Sequence, residues 1–372
     1  MARFRCDQCG HLGWTAQTRP MRKRWLGIAL CLSATTFTGL AGCSGPAVQP
    51  TPQPVPTPQP VAVAIAAPPA HAAPPPPEAD LSDQGCIGCH VDDARHWRAS
   101  AHASAFTNEI FQAEWRPQHQ AACVRCHAPL ADPDAPQGEA ALNGISCVVC
   151  HVREGSVLSA HASPESPHPI TVEEALSTSE SCAGCHDFTF AAVAPTPYED
   201  AEMLQGTMRE WHEVEGRGTC QHCHMPEADH TMPGARDASL LAQALHVEAS
   251  ARGVGRQTEV TLTLTSEAGH AVPTGDMFRR LLVEAWPLTR NAEHVGTTLM
   301  RRFERRGGVM HQVSDDRVPA RAPRVVTLIL PRARRIAWRI TWQALDPVAA
   351  EARWIPEEDA MRGVAEGEVE VE

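Results

Sequence analysis

The sequence predicts a mostly helix-and-loop domain followed by a small all-β, sandwich-like domain. Three observations carry that expectation. Five Cys-x-x-Cys-His motifs crowd between residues 86 and 224, in a stretch with few long apolar runs. From about residue 246 the pattern changes to short segments of alternating apolar and polar residues. No cysteine follows Cys223, so the two patterns do not overlap.

The bulk properties fit this division. The 372 residues are enough for two folded domains plus flexible parts. A hydrophobic share of 43% fits neither a disordered chain nor an ordinary membrane protein. Fourteen cysteines and nineteen histidines exceed what packing needs and point to metal or haem. Beyond residue 42 the chain holds 26 basic and 43 acidic residues, a net charge of -17. That surface excludes nucleic acid as a partner, because binding it needs basic patches against phosphates. The charge keeps the chain soluble, and it also suits a cationic partner.

The first segment reads as an address. Residues 1–20 contain Cys6-Asp-Gln-Cys9, half of a zinc-ribbon pattern with no matching second pair, and read as an extension in front of a start at Met21, with a cytoplasmic tag as the alternative. Residues 21–42 run from the basic Met21-Arg-Lys-Arg24 through an apolar stretch to Leu40-Ala-Gly. That order is a secretory signal. Its ending at Cys43 resembles the lipobox of bacterial lipoproteins, in which the cysteine is acylated; ordinary cleavage near Ala41 is the alternative. Residues 43–80 are a tether rich in Pro and Ala, expected to be extended and semi-rigid.

The block from 81 to 245 carries the chemistry. Its motifs pair Cys86 and Cys89 with His90, Cys123 and Cys126 with His127, and Cys147 and Cys150 with His151. Cys182 and Cys185 precede His186, and Cys220 and Cys223 precede His224. Each reads as a c-type haem attachment site. Two thiols form thioethers to the haem edge, and the adjacent histidine reaches the iron. Zinc knuckles or disulfides do not require a histidine after every pair. The expected cofactors are therefore five covalently attached c-type haems. With motifs 24 to 38 residues apart, these must lie close together.

Six-coordinate haems need second ligands. His102, in the segment after the first motif, is preferred over His96. His161 and His168 flank a Pro/Ser loop, His230 follows the fifth motif, and His270 lies in the Gly269-His-Ala-Val-Pro-Thr-Gly275 turn. His119 is a reserve. Met203, Met208, Met225 and Met232 offer an alternative ligand type, or simple packing against haem.

These residues resemble the multihaem cytochromes related to the cytochrome c-554 family. The resemblance rests on Trp97-x-x-Ser100-x-His102-Ala, Gly144-Ile-Ser-Cys147, and Ser181-Cys-Ala-Gly-Cys-His186-Asp-Phe. Thr207-x-x-Glu210-Trp211 and Cys220-x-x-Cys-His-Met225-Pro226 extend it. It implies electron transfer through bis-His haems, with His102, His161, His230 and His270 as distal ligands. The His270 turn resembles one in related cytochromes that append a β domain. His168 is added from its position alone. The fifth motif, the tether and the C-terminal domain depart from the pattern, so the pairing of ligands with haems stays open.

Residues 246–362 read as a β-sandwich domain. Glu259–Thr265, Leu281–Trp286, Arg324–Leu330 and Arg335–Trp342 are its clearest strands. Residues 363–372 read as a frayed acidic tail. The expected function is electron relay between redox partner proteins, with the chain exported and lipid-anchored, at the periplasmic face of the outer membrane or at the cell surface. Its bilayer contact is made through Cys43, and no catalytic residue is expected. Two alternatives stand beside it. One is an oxidoreductase acting on a small nitrogen or sulfur compound at a haem with an open distal face. The other is an electron-carrying subunit of a larger membrane complex.

Overall fold

The computed structural model describes residues 82–214 and 218–372. The expected signal, Cys43 and the tether lie outside them. A helix-and-loop part runs to about residue 244, and a β-rich part occupies 245–370. Among the described residues, no helix is long and apolar enough to cross a membrane.

The helices of the first part are short. They are α1 (Asp83–Ile87), α2 (Val91–Ala99), α3 (Glu109–Trp115), α4 (Ala121–His127), α5 (Gly138–Leu142) and α6 (Cys147–His151). α7 (Glu180–His186), α8 (Thr207–His212), α9 (Cys220–His224) and α10 (Ala238–Ala244) complete the series. Small strands lie between them: β1 (Val152–Arg153), β2 (Ser156–Ser159), β3 (Thr171–Val172), β4 (Asp187–Thr189) and β5 (Met203–Gly206).

Helices of one or two turns do not hold by themselves, because nucleation costs more than so few bonds return. Local caps help: Ser82, Asn108 and Asp237 each accept a backbone N–H at the start of α1, α3 and α10. Buried carboxylates add long-range ties. Asp83 accepts from Asn143 Nδ2 at 3.0 Å and from the Val148 N–H at 3.4 Å, joining α1 to α6. Asp187 accepts the Arg209 N–H at 3.1 Å, joining the end of α7 to α8. Apolar packing is sparse, with one small cluster of Phe106, Val124, Ala128, Ala131 and Ala141.

The second part is a sandwich of antiparallel sheets. Its strands are β6 (Leu245–Val254), β7 (Gln257–Ser266), β8 (Arg280–Pro287), β9 (Val295–Leu299), β10 (Arg301–Arg306), β11 (Val309–Asp315), β12 (Arg324–Pro331), β13 (Arg335–Gln343) and β14 (Met361–Glu370). One sheet has the order β12-β7-β6, the other β14-β13-β8-β9, and β10 pairs with β11 as a separate ribbon. Two short helices, α11 (Pro347–Ala352) and α12 (Glu357–Ala360), link β13 to β14. Alternation places Val260, Leu262 and Leu264 of β7 and Val326, Leu328 and Leu330 of β12 on one inner face. Leu281 and Val283 of β8 and Ile336 and Ile340 of β13 face them within the same core.

The four strands expected from alternation are all present. The acidic end of the chain differs from its reading as a frayed tail. Residues 361–370 form β14, which pairs with β13 from Met361↔Gln343 to Glu370↔Arg335. Its charges sit on the outward positions of an edge strand, where Arg335 meets Glu368, and that outward face gave the segment its tail-like composition.

The two parts touch through the β10–β11 ribbon. Glu199 and Met310 are joined by an N–H to carbonyl bond of 3.0 Å, and Met310 donates to the Pro197 carbonyl at 2.7 Å. Phe190 stacks on Tyr198 at 4.5 Å, and Phe303 of β10 meets Tyr198 edge-on at 5.2 Å.

Candidate functional site

A helical turn puts residues i and i+3 on one side, with i+4 beside them. A Cys-x-x-Cys-His segment wound into one turn therefore presents two thiols and an imidazole together. The second to fifth motifs lie wholly within α4, α6, α7 and α9. The first begins in α1 and places His90 at the start of α2, with the His90 N–H still bonded to the Cys86 carbonyl at 2.9 Å.

The motif helices pack on one another out of sequence order. The Cys126 thiol of α4 lies beside that of Cys185 of α7, and the Cys182 thiol of α7 beside that of Cys220 of α9. The Cys147 thiol is pushed up to about 11, first by burial, then by the Asp83 carboxylate and by Cys86. The third motif thus neighbours the first, while the fourth neighbours the second and the fifth. The ten motif cysteines form no disulfide among the described residues. Among the described residues, no three His, Cys, Asp or Glu side chains group as an ion site.

Four motif histidines each face one histidine from elsewhere in the chain. The ring centroids are 6.4 Å apart for His90 and His168, and 6.3 Å for His186 and His102. They are 6.2 Å apart for His151 and His230, and 6.4 Å for His224 and His270. A metal–nitrogen bond of about 2 Å and about 1.2 Å from nitrogen to centroid place two trans imidazoles about 6.4 Å apart. Every pair has the spacing of two axial ligands on one iron, and every pair joins a motif residue to a non-motif residue.

Backbone carbonyls hold the outer nitrogen of several of these rings. Nδ1 of His151 donates to the Leu158 carbonyl at 3.0 Å, that of His224 to Pro233 at 2.6 Å, and that of His127 to Ala105 at 2.8 Å. Nδ1 of His270 donates to the carbonyl of Ala271 at 2.9 Å. The Asp93 carboxylate lies 3.3 Å from His90 Nδ1 and 3.5 Å from His230 Nδ1. A ring that donates from Nδ1 keeps its Nε2 lone pair for a metal. Burial also favours the neutral, ligating form. It pushes His186 down to about 4, with the neighbouring His102 adding to the effect, and it lowers His102, His127, His230 and His270.

The loops that carry the non-motif rings are locally fixed. Gly144 has φ +58°, and a Cβ there would lie 2.5 Å from the His102 carbonyl. Its absence lets Ile145 donate to that carbonyl at 3.0 Å, while Trp97 Nε1 donates to the Ile145 carbonyl at 2.8 Å. Ser166 Oγ donates to the His168 carbonyl at 2.8 Å. The turn bearing His270 is bridged to Val318 through Val272 in both directions, at 2.9 and 3.0 Å.

Two histidines stand apart. His161 is exposed and faces no motif ring, its N–H donating to Ser159 Oγ at 3.3 Å. His127 has no histidine at the axial spacing among the described residues; Phe111 stacks on its ring at 3.8 Å. Among the other candidates, His96 pairs with Asp229 at 3.2 Å, and His119 meets Trp115 edge-on. Met232 contacts His102, and Met208 is buried. Sequence reasoning did not single out the carboxylates of Asp93 and Glu210 that bear on these rings. Their significance depends on partners far along the chain.

Comparison with known proteins bears on the fold. Residues 85–152 match the family described as cytochrome c554 and c-prime. The fold is similar to the crystal structure of a penta-heme cytochrome c552 from Thermochromatium tepidum, with a TM-score of 0.66 at 19% identity. The match covers 77% of this chain and 98% of that one, more than either part of the fold alone, so it runs through both. No curated protein matches the sequence. The chain thus has a multihaem c-type cytochrome fold with a separate C-terminal β-rich region.

Proposed function

We propose that this protein is an exported pentahaem c-type cytochrome that relays electrons between redox partner proteins. The observation that carries the reading is the set of four motif-to-distal histidine pairs at 6.2 to 6.4 Å. The ten motif cysteines would hold the haems by thioethers, with His90, His127, His151, His186 and His224 as proximal ligands. His168, His230, His102 and His270 would serve as distal ligands opposite His90, His151, His186 and His224, while the exposed His161 faces none of these rings. A haem held between two imidazoles supplies a one-electron iron couple and no open site.

The residues do the rest. Paired histidines would hold the group from both sides in either oxidation state, which would keep reorganisation small. Carbonyls on Nδ1 fix ring orientation and tune ligand basicity. Contacts among the motif helices support a path from the first motif through the third to the fourth, branching to the second and fifth. Acylation of Cys43 would tether this relay to a bilayer by residues 43–80, at the periplasmic face of the outer membrane or at the cell surface.

One observation favours a second reading at a single haem. His127 meets no second histidine at the spacing of the other four pairs among the described residues, and Phe111 packs on the face of its ring, so this haem would be the place for a small ligand or substrate. Mass spectrometry of the purified protein should find five haems per chain. Optical and magnetic spectra should show four low-spin bis-His haems, and carbon monoxide should bind at most once per reduced chain. Fewer than four low-spin haems would break the relay assignment. Turnover of nitrite or hydroxylamine lost on altering the His127 surroundings would establish the second reading.

A further inference from the structure

We infer that Glu210 is the positioning residue that holds His270 opposite His224, so that a carboxylate of the helical part sets the ligation of a haem whose distal ligand comes from the β part. This rests on the ligand reading above. His270 sits in the turn between β7 and β8, while His224 belongs to α9. Their rings are nearly parallel, 14° between planes at 6.4 Å, and an axial bond tolerates little change in that distance. The turn's own backbone cannot guarantee such a position, because the two residues come from different parts of the fold.

Glu210 supplies the missing constraint. It projects from α8, and its side chain is only 18% exposed. Its Oε2 accepts the Ala271 N–H at 3.2 Å and the Thr274 hydroxyl at 2.8 Å, gripping the His270 turn on both sides of Val272-Pro273. Thr207, one helical turn earlier, meets Thr274 Oγ1 at 2.8 Å. The other oxygen, Oε1, pairs with Arg317 at 2.7 Å. Arg317 is 10% exposed, donates to the Pro273 carbonyl at 3.2 Å, and is shared with Asp315 at 2.7 Å. Burial alone would raise Asp315 and lower Arg317, but the ion pair outweighs it and holds both charged.

This arrangement surpasses a surface ion pair. Breaking a buried pair from one side leaves the other charge uncompensated. Glu210 also lines a cavity of about 350 Å³ beside Arg209, Arg301, Arg317 and Arg324, with Glu213 and Asp315 as the other charges. Removing its charge would leave the surroundings of the His270 haem more positive, which favours the reduced iron.

The test uses the full-length haem-loaded protein. His270→Ala defines the reference signal, one low-spin haem turned high-spin. Glu210→Ala should convert part of that same signal and admit one additional carbon monoxide per chain. Glu210→Gln keeps the hydrogen-bond acceptor and should stay low-spin, with one midpoint potential raised and the other four unchanged. Parent-like spectra and potentials in both Glu210 variants, where His270→Ala does change the spectrum, would overturn the inference alone. If His270→Ala changes nothing, the ligand reading fails and takes the inference with it. If Glu210→Ala does not accumulate as holoprotein, Glu210→Gln decides: an unshifted potential overturns the assignment.

Discussion

The two parts of the described chain bury different things at their centres. The β part packs twenty-one buried apolar residues into one cluster, including Leu262, Leu264, Leu281, Ile336 and Ile340. The helical part has a cluster of five, three of them alanine. What it gathers instead is imidazole: the surrounding protein lowers His127, His186 and His102 by desolvation, although His127 and His102 are only half-buried and the His186 ring is open to solvent. A side-chain core is complete without help. A centre of ligand rings spaced 6.2 to 6.4 Å apart implies that something else fills the space between them. The difference predicts that the β part folds by itself, whereas the helical part depends on its cofactors.

The largest effect follows directly. Protein made without haem attachment should lose the helical part altogether, since α1 to α9 are single short elements with little apolar burial. Limited proteolysis with mass mapping should cut throughout residues 82–236 and leave a resistant fragment covering 237–372. Resistance of the helical part without haem would refute the contrast.

A smaller effect probes the other half. Leu262 is fully buried between the sheets, so Leu262→Ala should cost about 3 kcal/mol through lost transfer energy and a residual cavity. Denaturant unfolding followed by far-ultraviolet circular dichroism should show that loss, with the haem absorption unchanged at denaturant levels below the transition. A shift in haem spin state in the folded variant would mean that the two centres are energetically joined.

The two parts also differed in how well the sequence disclosed them. The Cys-x-x-Cys-His motifs are legible because attachment chemistry is local, two thiols and a ring within one helical turn. Strands β7, β8, β12 and β13 are legible because inward residues alternate without interruption, as in Val260, Leu262 and Leu264. Strand β6 is harder to read, because Ala249, Ser250 and Ala251 give alternation no contrast. β14 looked like a tail because glutamates fill its outward positions. Which histidine faces which motif ring was not legible for a different reason. His161 and His168 flank the same loop, and only the folded path of that loop turns His168 towards His90. Glu210 was visible only as part of a motif; its grip on Ala271, Thr274 and Arg317 depends on contacts between the two parts.

The smallest effect sharpens where one part ends and the other begins. Helix α10 runs into β6 without a loop, so sequence position alone does not assign it. Its packing does, because Leu241 of α10 belongs to the β-part core. Asp237 caps this helix by accepting the Leu240 N–H at 2.8 Å. Asp237→Ala should therefore cost about 1 kcal/mol, as the loss of an N-cap does. That cost should appear in the same unfolding transition as the Leu262→Ala loss, with the haem spectra untouched. If the loss appears as easier proteolysis within 82–244 and the β transition stays in place, then α10 is held by the cofactor-dependent part, and the boundary between the two kinds of core moves to the first residue of β6.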